Sequence, residues 1–231
     1  MDHFEIIPPT YNFEENAKTP VIPKILHMIW VGDKEQPEYV NTYKEKWQSL
    51  MPDWKVRLWT NKDINENEFP PDALEKIRNS IKGAQKADIM RYFIVYKYGG
   101  VYVDTDIRPC RSLDPIINMG RQVVACHDHP RVDWPYIINA FFASIPNHPL
   151  IAYVCRLALG ANVNHGNVAY ETGPRIFGEA IWRVKSNEKY AMLHMFYFYR
   201  NLNGQAIDNY VYRNDNFENR FGEHFYAASW M

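Results

Sequence analysis

The stretch over residues 87–106, ADIMRYFIVYKYGGVYVDTD, constrains the fold of this chain more than any other. Its first part is apolar nearly all round, with Ile89, Met90, Phe93, Ile94, Val95 and Tyr96, which predicts a buried helix over about 84–98. Gly99-Gly100 is a strong helix stop. An apolar strand is expected next, over 101–107, ended by Pro109. Alternation along it would turn Tyr102, Asp104 and Asp106 to one face and Val101, Val103, Thr105 and Ile107 to the other.

The same grammar runs on either side of this stretch. Residues 25–31 form an apolar run of strand length closed by Gly32, as in a buried parallel strand. Residues 37–50 carry apolar and aromatic positions on one helical face, and 54–59 alternate as a second strand. Pro70-Pro71-Asp72 opens a helix over about 72–82, with Asp72 as its expected cap, and Gly83 separates it from the buried helix. Further strands are expected at 121–126 and 136–144, helices at about 148–160 and 174–186, and a strand-like aromatic segment at 192–199. Strands separated by helices indicate an α/β sandwich. Residues 1–20, with Pro8, Pro9 and Pro20 and little periodicity, are expected to be an N-terminal arm, and 21–231 a single domain.

Composition narrows the function. Hydrophobic residues at 46% and charged residues at 23% describe a chain able to bury a core, not a disordered one. A net charge of −1 lacks the basic excess of a phosphate-tracking nucleic-acid binder, so no nucleic-acid partner is expected. There is no apolar run of about 18 residues and hence no integral membrane segment, and the first residues lack a signal-peptide pattern. Cys110, Cys126 and Cys155 form no C-x-x-C pair and are odd in number, which fits a reducing compartment. The expectation is a cytoplasmic enzyme. Aromatics make up 15%, enough for a core of large rings with some left as stacking platforms for bases or sugars. Nothing in the sequence specifies an oligomeric state.

The chemistry concentrates at Asp104 and Asp106. Carboxylates two apart on a strand have Cα atoms about 6.5–7 Å apart and repel one another. A cation, hydrogen-bond donors or water must compensate them, and an oxygen-liganded Mg²⁺ or Mn²⁺ completed by substrate phosphates suits such a pair. Asp88 and Arg91, three apart on the buried helix, keep two charges where burial is costly. They form either an ordinary i,i+3 ion pair or part of a site beside the carboxylate strand.

Three stretches, IPKILHMIWVG at 22–32, ADIMRY at 87–92 and YGGVYVDTD at 98–106, in this order, resemble the DXD-type sugar-nucleotide glycosyltransferases. That family includes Och1-like mannosyltransferases, capsular polysaccharide transferases and the catalytic domains of glucosylating toxins. The likeness covers about residues 21–115 and is looser downstream, at Asn139, Thr172-Gly173-Pro174, His224 and Ser229-Trp230. It departs from the family's pattern at Phe225, where a second histidine is common, and at Ala87, where a serine is common.

The resemblance implies the GT-A nucleotide-diphospho-sugar transferase fold, a Rossmann-like mixed central sheet flanked by helices. It implies a metal-dependent, retaining transfer of a hexose from a GDP- or UDP-sugar donor to a glycan or other hydroxyl acceptor, as in polysaccharide biosynthesis. Trp30 would stack on the base, Asp88 and Arg91 would hold the sugar hydroxyls, and Tyr92 and Asn139 would help frame the donor pocket. Asp104 would contact the ribose or a metal-bound water, Asp106 would coordinate Mn²⁺ or Mg²⁺ directly, and His224 would be a further ligand. Ser229 and Trp230 would reach the diphosphate. Asp128, His129 and Asp133, in the polar stretch 127–135, are acceptor-side candidates. Thr172 is expected either to frame the pocket or to cap the helix opening at Pro174. The alternatives are a sugar-1-phosphate nucleotidylyltransferase, although Gly32-Asp33-Lys34-Glu35-Gln36-Pro37 is a poor phosphate loop, and a non-catalytic carbohydrate-binding derivative of the fold.

Overall fold

A computed structural model of the chain describes residues 4–127, 137–185, 190–199 and 219–225. Seven strands form one sheet: β1 (Phe4–Ile7), β2 (Ile25–Ile29), β3 (Lys55–Trp59), β4 (Gly100–Val103), β6 (Val123–His127), β7 (Ile137–Ser144) and β8 (Tyr190–Leu193). Their spatial order is β1-β8-β6-β7-β4-β2-β3, and β7 alone among them runs antiparallel to its neighbours. Two short strands, β5 (Ile107–Pro109) and β9 (Gly222–His224), pair as a separate ribbon.

Helices cover both faces, which the nearly continuous apolar runs of β2, β6 and β7 require. On one face lie α2 (Pro71–Asn79), α3 (Gly83–Tyr98), α5 (Pro149–Gly160) and α7 (Pro174–Arg183), whose inward residues share one core cluster with Trp59 and Tyr102. On the other face, α1 (Glu38–Leu50) contributes Trp47, and the four-residue α4 (Asp114–Ile117) contributes Ile116 and Ile117, to a second cluster with Val101 and Val103. A further short helix, α6 (Val168–Glu171), leads into α7. The α3 helix is buried as its composition demands: Ile89, Met90, Tyr92, Ile94 and Val95 are all within 2% exposure. It stops at Gly99, whose φ of +63° and close approach to Pro146, where a Cβ would lie 2.7 Å from the ring, exclude other residues.

Four expectations change. The expected N-terminal arm 1–20 is, over its described residues 4–20, not outside the domain, because β1 pairs in parallel with β8 at the sheet's edge and Phe13 packs edge-on to Tyr197 and Phe221. The partners lie at the far end of the chain, so no local pattern announces them. The strand expected over 101–107 ends at Val103. Asp104 N–H donates to the Ala140 carbonyl and Ile107 N–H to the Asp104 carbonyl, so the acids occupy a turn between β4 and β5 rather than one face of a continuous strand. Turning out of the sheet spares both carboxylates the full desolvation that a buried strand would impose. The aromatic segment 192–199 is strand only to Leu193, then a 3₁₀ turn over Met195–Tyr197. Asp72 does not cap α2, which starts at Pro71 after Pro70; its carboxylate instead accepts from Ala73 N–H.

One buried polar residue ties the sheet to the α3 stop. His27 accepts from the Trp59 indole at Nδ1 (3.1 Å), and its Nε2 lies 2.9 Å from the Gly99 carbonyl, an arrangement that the neutral Nε2–H tautomer satisfies. Burial, opposed by the Gly99 carbonyl, holds its pKa down to about 4. A base depressed in this way contributes stability that is complete above its unfolded value near 6.5 and is lost as pH falls toward the folded value. Between pH 7 and 4.5 the protein should therefore lose about 2–3 kcal/mol more than a His27→Gln variant. Urea unfolding at the two pH values measures the difference, and parallel loss in both proteins would exclude His27 as the source.

Candidate active site

Leaving β2, the chain moves to β3 on one side, and β4 later pairs on the other, with Leu26 opposite Val101. Such a reversal opens a crevice beyond the carboxyl ends of the strands, where α/β folds bind ligands. A cavity of about 510 Å³ lies here. One wall is the loop after β2, from Trp30 to Lys34, and another is the N-terminus of α3 at Lys82-Gly83-Ala84. Gly83 is required because a Cβ there would strike the Val31 carbonyl. The half-buried Trp30 is oriented by its indole N–H, which donates to the Lys34 carbonyl at 3.2 Å. Arg91, Tyr102, Asp104, Asp106 and His224 close the far side.

The small β5–β9 ribbon assembles the acidic corner. Its register sets Ile107 against His224, and Phe225 N–H donates to the Asp106 carbonyl at 3.2 Å. Glu223, only 1% exposed, pairs with Arg108 and Arg220 and fastens the two strands. His224 Nε2 consequently lies 3.0 Å from Asp106 Oδ1 and 3.9 Å from Asp104 Oδ2. One ligand atom from each of the three residues falls within 4.8 Å of the others. Two carboxylate oxygens and an imidazole nitrogen form a donor set that fits Mn²⁺ or Mg²⁺, with positions left for water and phosphate.

Behind this corner runs a buried polar network. The Arg91 guanidinium bonds Asp104 Oδ1 (2.9 Å), Asp88 Oδ1 (3.1 Å) and the Asn139 carbonyl (2.8 Å). Asp88 also accepts from Asn139 Nδ2 (2.7 Å) and the Thr172 hydroxyl (2.8 Å). The Asn139 amide reaches the Tyr92 hydroxyl at 2.7 Å, and that hydroxyl donates to the Thr172 carbonyl. Burial raises the Asp88 pKa to about 6, the Arg91 charge and the Thr172 and Asn139 bonds limiting the rise. For Arg91 burial works against the charge, yet Asp104, Tyr102 and Asp88 outweigh it and hold the guanidinium more firmly protonated than usual.

The structure thus brings Trp30, Arg91, Asp104, Asp106 and His224 to one cavity. Asp88, Tyr92 and Asn139 are buried one layer deeper and reach it through Arg91. Thr172 does not cap α7, whose N-cap is Gly173; its hydroxyl serves Asp88. Ser229 and Trp230, and the acceptor-side candidates Asp128, His129 and Asp133, lie outside the described residues. Sequence reasoning missed the α3 N-terminus as a cavity wall, and the ties of Tyr102 and Arg91 to Asp104. Gly83 beside Lys82, and Tyr102 two residues before Asp104, were the available signals.

Comparisons with known proteins show what the chain is similar to. Residues 37–122 match the model of the glycosyltransferase sugar-binding region containing the DXD motif. Inositol phosphoceramide mannosyltransferase 3 of Schizosaccharomyces pombe is 31% identical over 74% of this chain and 48% of its own length. An uncharacterized glycosyltransferase, L373, of Acanthamoeba polyphaga mimivirus is 30% identical over 72% of this chain and 67% of its own length. Mannosyl phosphorylinositol ceramide synthase SUR1 of Saccharomyces cerevisiae is 30% identical over 74% of this chain and 44% of its own length. The chain therefore spans about half the length of the two yeast relatives. Among solved structures, the PaToxG glycosyltransferase superposes with a TM-score of 0.59 at 20% identity, over 70% of this chain and 69% of that one. A glycosyltransferase involved in glycosylation of the major capsid of PBCV-1 gives 0.51 at 11% identity, over 88% and 93%. The fold is the GT-A fold, with a mixed, mostly parallel sheet between helical layers.

Proposed function

Because the chain belongs to the glycosyltransferase family whose sugar-binding region carries the DXD motif, we propose that it transfers a hexose from a nucleotide-diphospho-sugar to a hydroxyl acceptor with retention of configuration. The observation that carries this reading is the convergence of Asp104, Asp106 and His224 at the mouth of a cavity walled by Trp30 and the N-terminus of α3. Asp106 and His224 would hold a divalent ion directly, with Asp104 acting through a bound water. When bound, that ion supplies Lewis-acid stabilisation of the negative charge that develops on the departing diphosphate.

The chain's own residues do the rest. Trp30 offers its indole face to the base. Gly83 and Ala84, in the first turn of α3, line the cavity and set the positive end of a 16-residue helix beside it, which favours an anionic donor. Arg91 meets the donor sugar, held in place by Asp88 and the Asn139 carbonyl rather than by solvent. In the net reaction the bond from the sugar's anomeric carbon to the diphosphate oxygen breaks, and a bond to the acceptor oxygen forms. The acceptor loses its hydroxyl proton and the nucleoside diphosphate departs. The names of the yeast relatives make mannose the first sugar to test and a glycan or glycolipid hydroxyl the first acceptor class.

A donor screen tests the proposal. Purified protein with Mn²⁺ and a panel of GDP-mannose, UDP-glucose and UDP-galactose is expected to release nucleotide from one donor and to gain thermal stability with it. Chelation should abolish both effects. Silence toward every donor, together with pyrophosphate release from a nucleoside triphosphate and a sugar-1-phosphate, would move the assignment to a nucleotidylyltransferase.

A further inference from the structure

The two oxygens of Asp104 have different surroundings. Oδ1 receives the Tyr102 hydroxyl at 2.6 Å and Arg91 Nη1 at 2.9 Å, while Oδ2 is turned toward His224 Nε2 at 3.9 Å. Hydrogen bonds to an ionised carboxylate are the strong kind, and two on one oxygen set its rotamer. The donor side is rigid. Tyr102 is 1% exposed, sits mid-strand opposite His27 on β2 and Phe142 on β7, and carries the Arg91 guanidinium over its ring at 4.4 Å. Asp104, by contrast, stands in the turn after β4: its backbone N–H still reaches Ala140 on β7, but its side chain is 24% exposed.

We infer that Tyr102 is a positioning residue of the metal centre: its hydroxyl, working with Arg91, commits Oδ1 inward so that Asp104 presents Oδ2 alone to the site. Engaging Oδ1 would require giving up at least one of these two bonds, so Asp104 meets the centre through Oδ2 alone, by way of the bound water. The inference rests on the reading of Asp104, Asp106 and His224 as a metal centre, and its test separates the two.

Mn²⁺ binding is measured by loss of the free-ion electron paramagnetic resonance signal, in wild type and in Tyr102→Phe, alongside unfolding of the metal-free proteins. The variant keeps the ring and its contacts with Arg91 and Phe142 and removes only the hydroxyl. Its Mn²⁺ dissociation constant should rise about 10–100-fold, the usual effect of losing a partner that orients a ligand. A Phe142→Leu variant, which disturbs packing on the same ring, should lower the unfolding midpoint and leave Mn²⁺ affinity within twofold. Tyr102→Phe binding within twofold of wild type overturns the positioning role, and so does an equal loss in Phe142→Leu. Failure of wild type to bind Mn²⁺ overturns the metal centre itself. Should Tyr102→Phe not fold, the hydroxyl-proton resonance of Tyr102 in the wild-type protein gives an independent reading. A shift of that resonance in Asp104→Asn supports the pairing, and an unchanged position overturns it.

Discussion

Replacing Asp106 by Asn should lower kcat/KM for sugar transfer by about 10³-fold, roughly 4 kcal/mol of transition-state stabilisation, while leaving the fold intact. The size follows from where the charge sits. Asp106 is the carboxylate nearest His224, at 3.0 Å, and its side chain is 13% exposed in the corner that faces the cavity. An amide of the same shape keeps an oxygen for His224 but supplies no charge for a dication. The metal-free variant should be no less stable than wild type, because the substitution also removes the repulsion between the acids at 104 and 106. Steady-state kinetics, Mn²⁺ titration and thermal unfolding together check the expectation. Transfer within tenfold of wild type, or Mn²⁺ affinity unchanged, would show that the corner does not hold the catalytic ion.

Arg91→Met should cost about 3–5 kcal/mol of stability at neutral pH. The guanidinium is 6% exposed, and its removal leaves two acids, Asp88 at 4% and Asp104 at 24% exposure, without their shared cation. Asp88 decides the pH dependence. Burial already raises its pKa from 3.8 to about 6, and the Arg91 charge is the largest influence opposing that rise. A carboxyl raised on folding contributes stability that is present below its unfolded value and lost as pH climbs through its folded value. With Arg91 gone the folded value climbs further, so the deficit of the variant should shrink as pH falls from 7.5 to 5, where Asp88 takes up a proton. Adding Asp88→Asn to Arg91→Met should recover part of the loss at pH 7.5. Urea unfolding of the double-mutant cycle measures this, and a loss below 1 kcal/mol for Arg91→Met would mean that water replaces the guanidinium.

Much of the site was legible because its residues are bound to regular elements. Alternation through Val101, Tyr102 and Val103, the all-round apolar α3 and the Gly99-Gly100 stop are local facts of backbone geometry, and they set the charged helix beside the carboxylate segment without showing the Arg91–Asp104 contact. Trp30 was marked only through the family resemblance, and its place at the cavity follows from its position at the end of a parallel strand. The β1 strand was not legible. A four-residue edge strand has no periodicity to read, and its partner β8 lies near the other end of the chain.

By itself the sequence determined the α/β class, the order of the longer helices and of most central strands, the pairing of the two acids two residues apart and the family resemblance. Each of these is written in periodicity, in Gly and Pro punctuation or in a contiguous motif. Only the tertiary structure decided that Asp104 and Asp106 occupy a turn, that Asp88 turns inward to Thr172 and Asn139, and that the β5–β9 ribbon carries His224 to Asp106. Those outcomes depend on hydrogen bonds and charge pairing between segments far apart in the chain. Their energies are settled by burial and by partners that no local window of sequence contains.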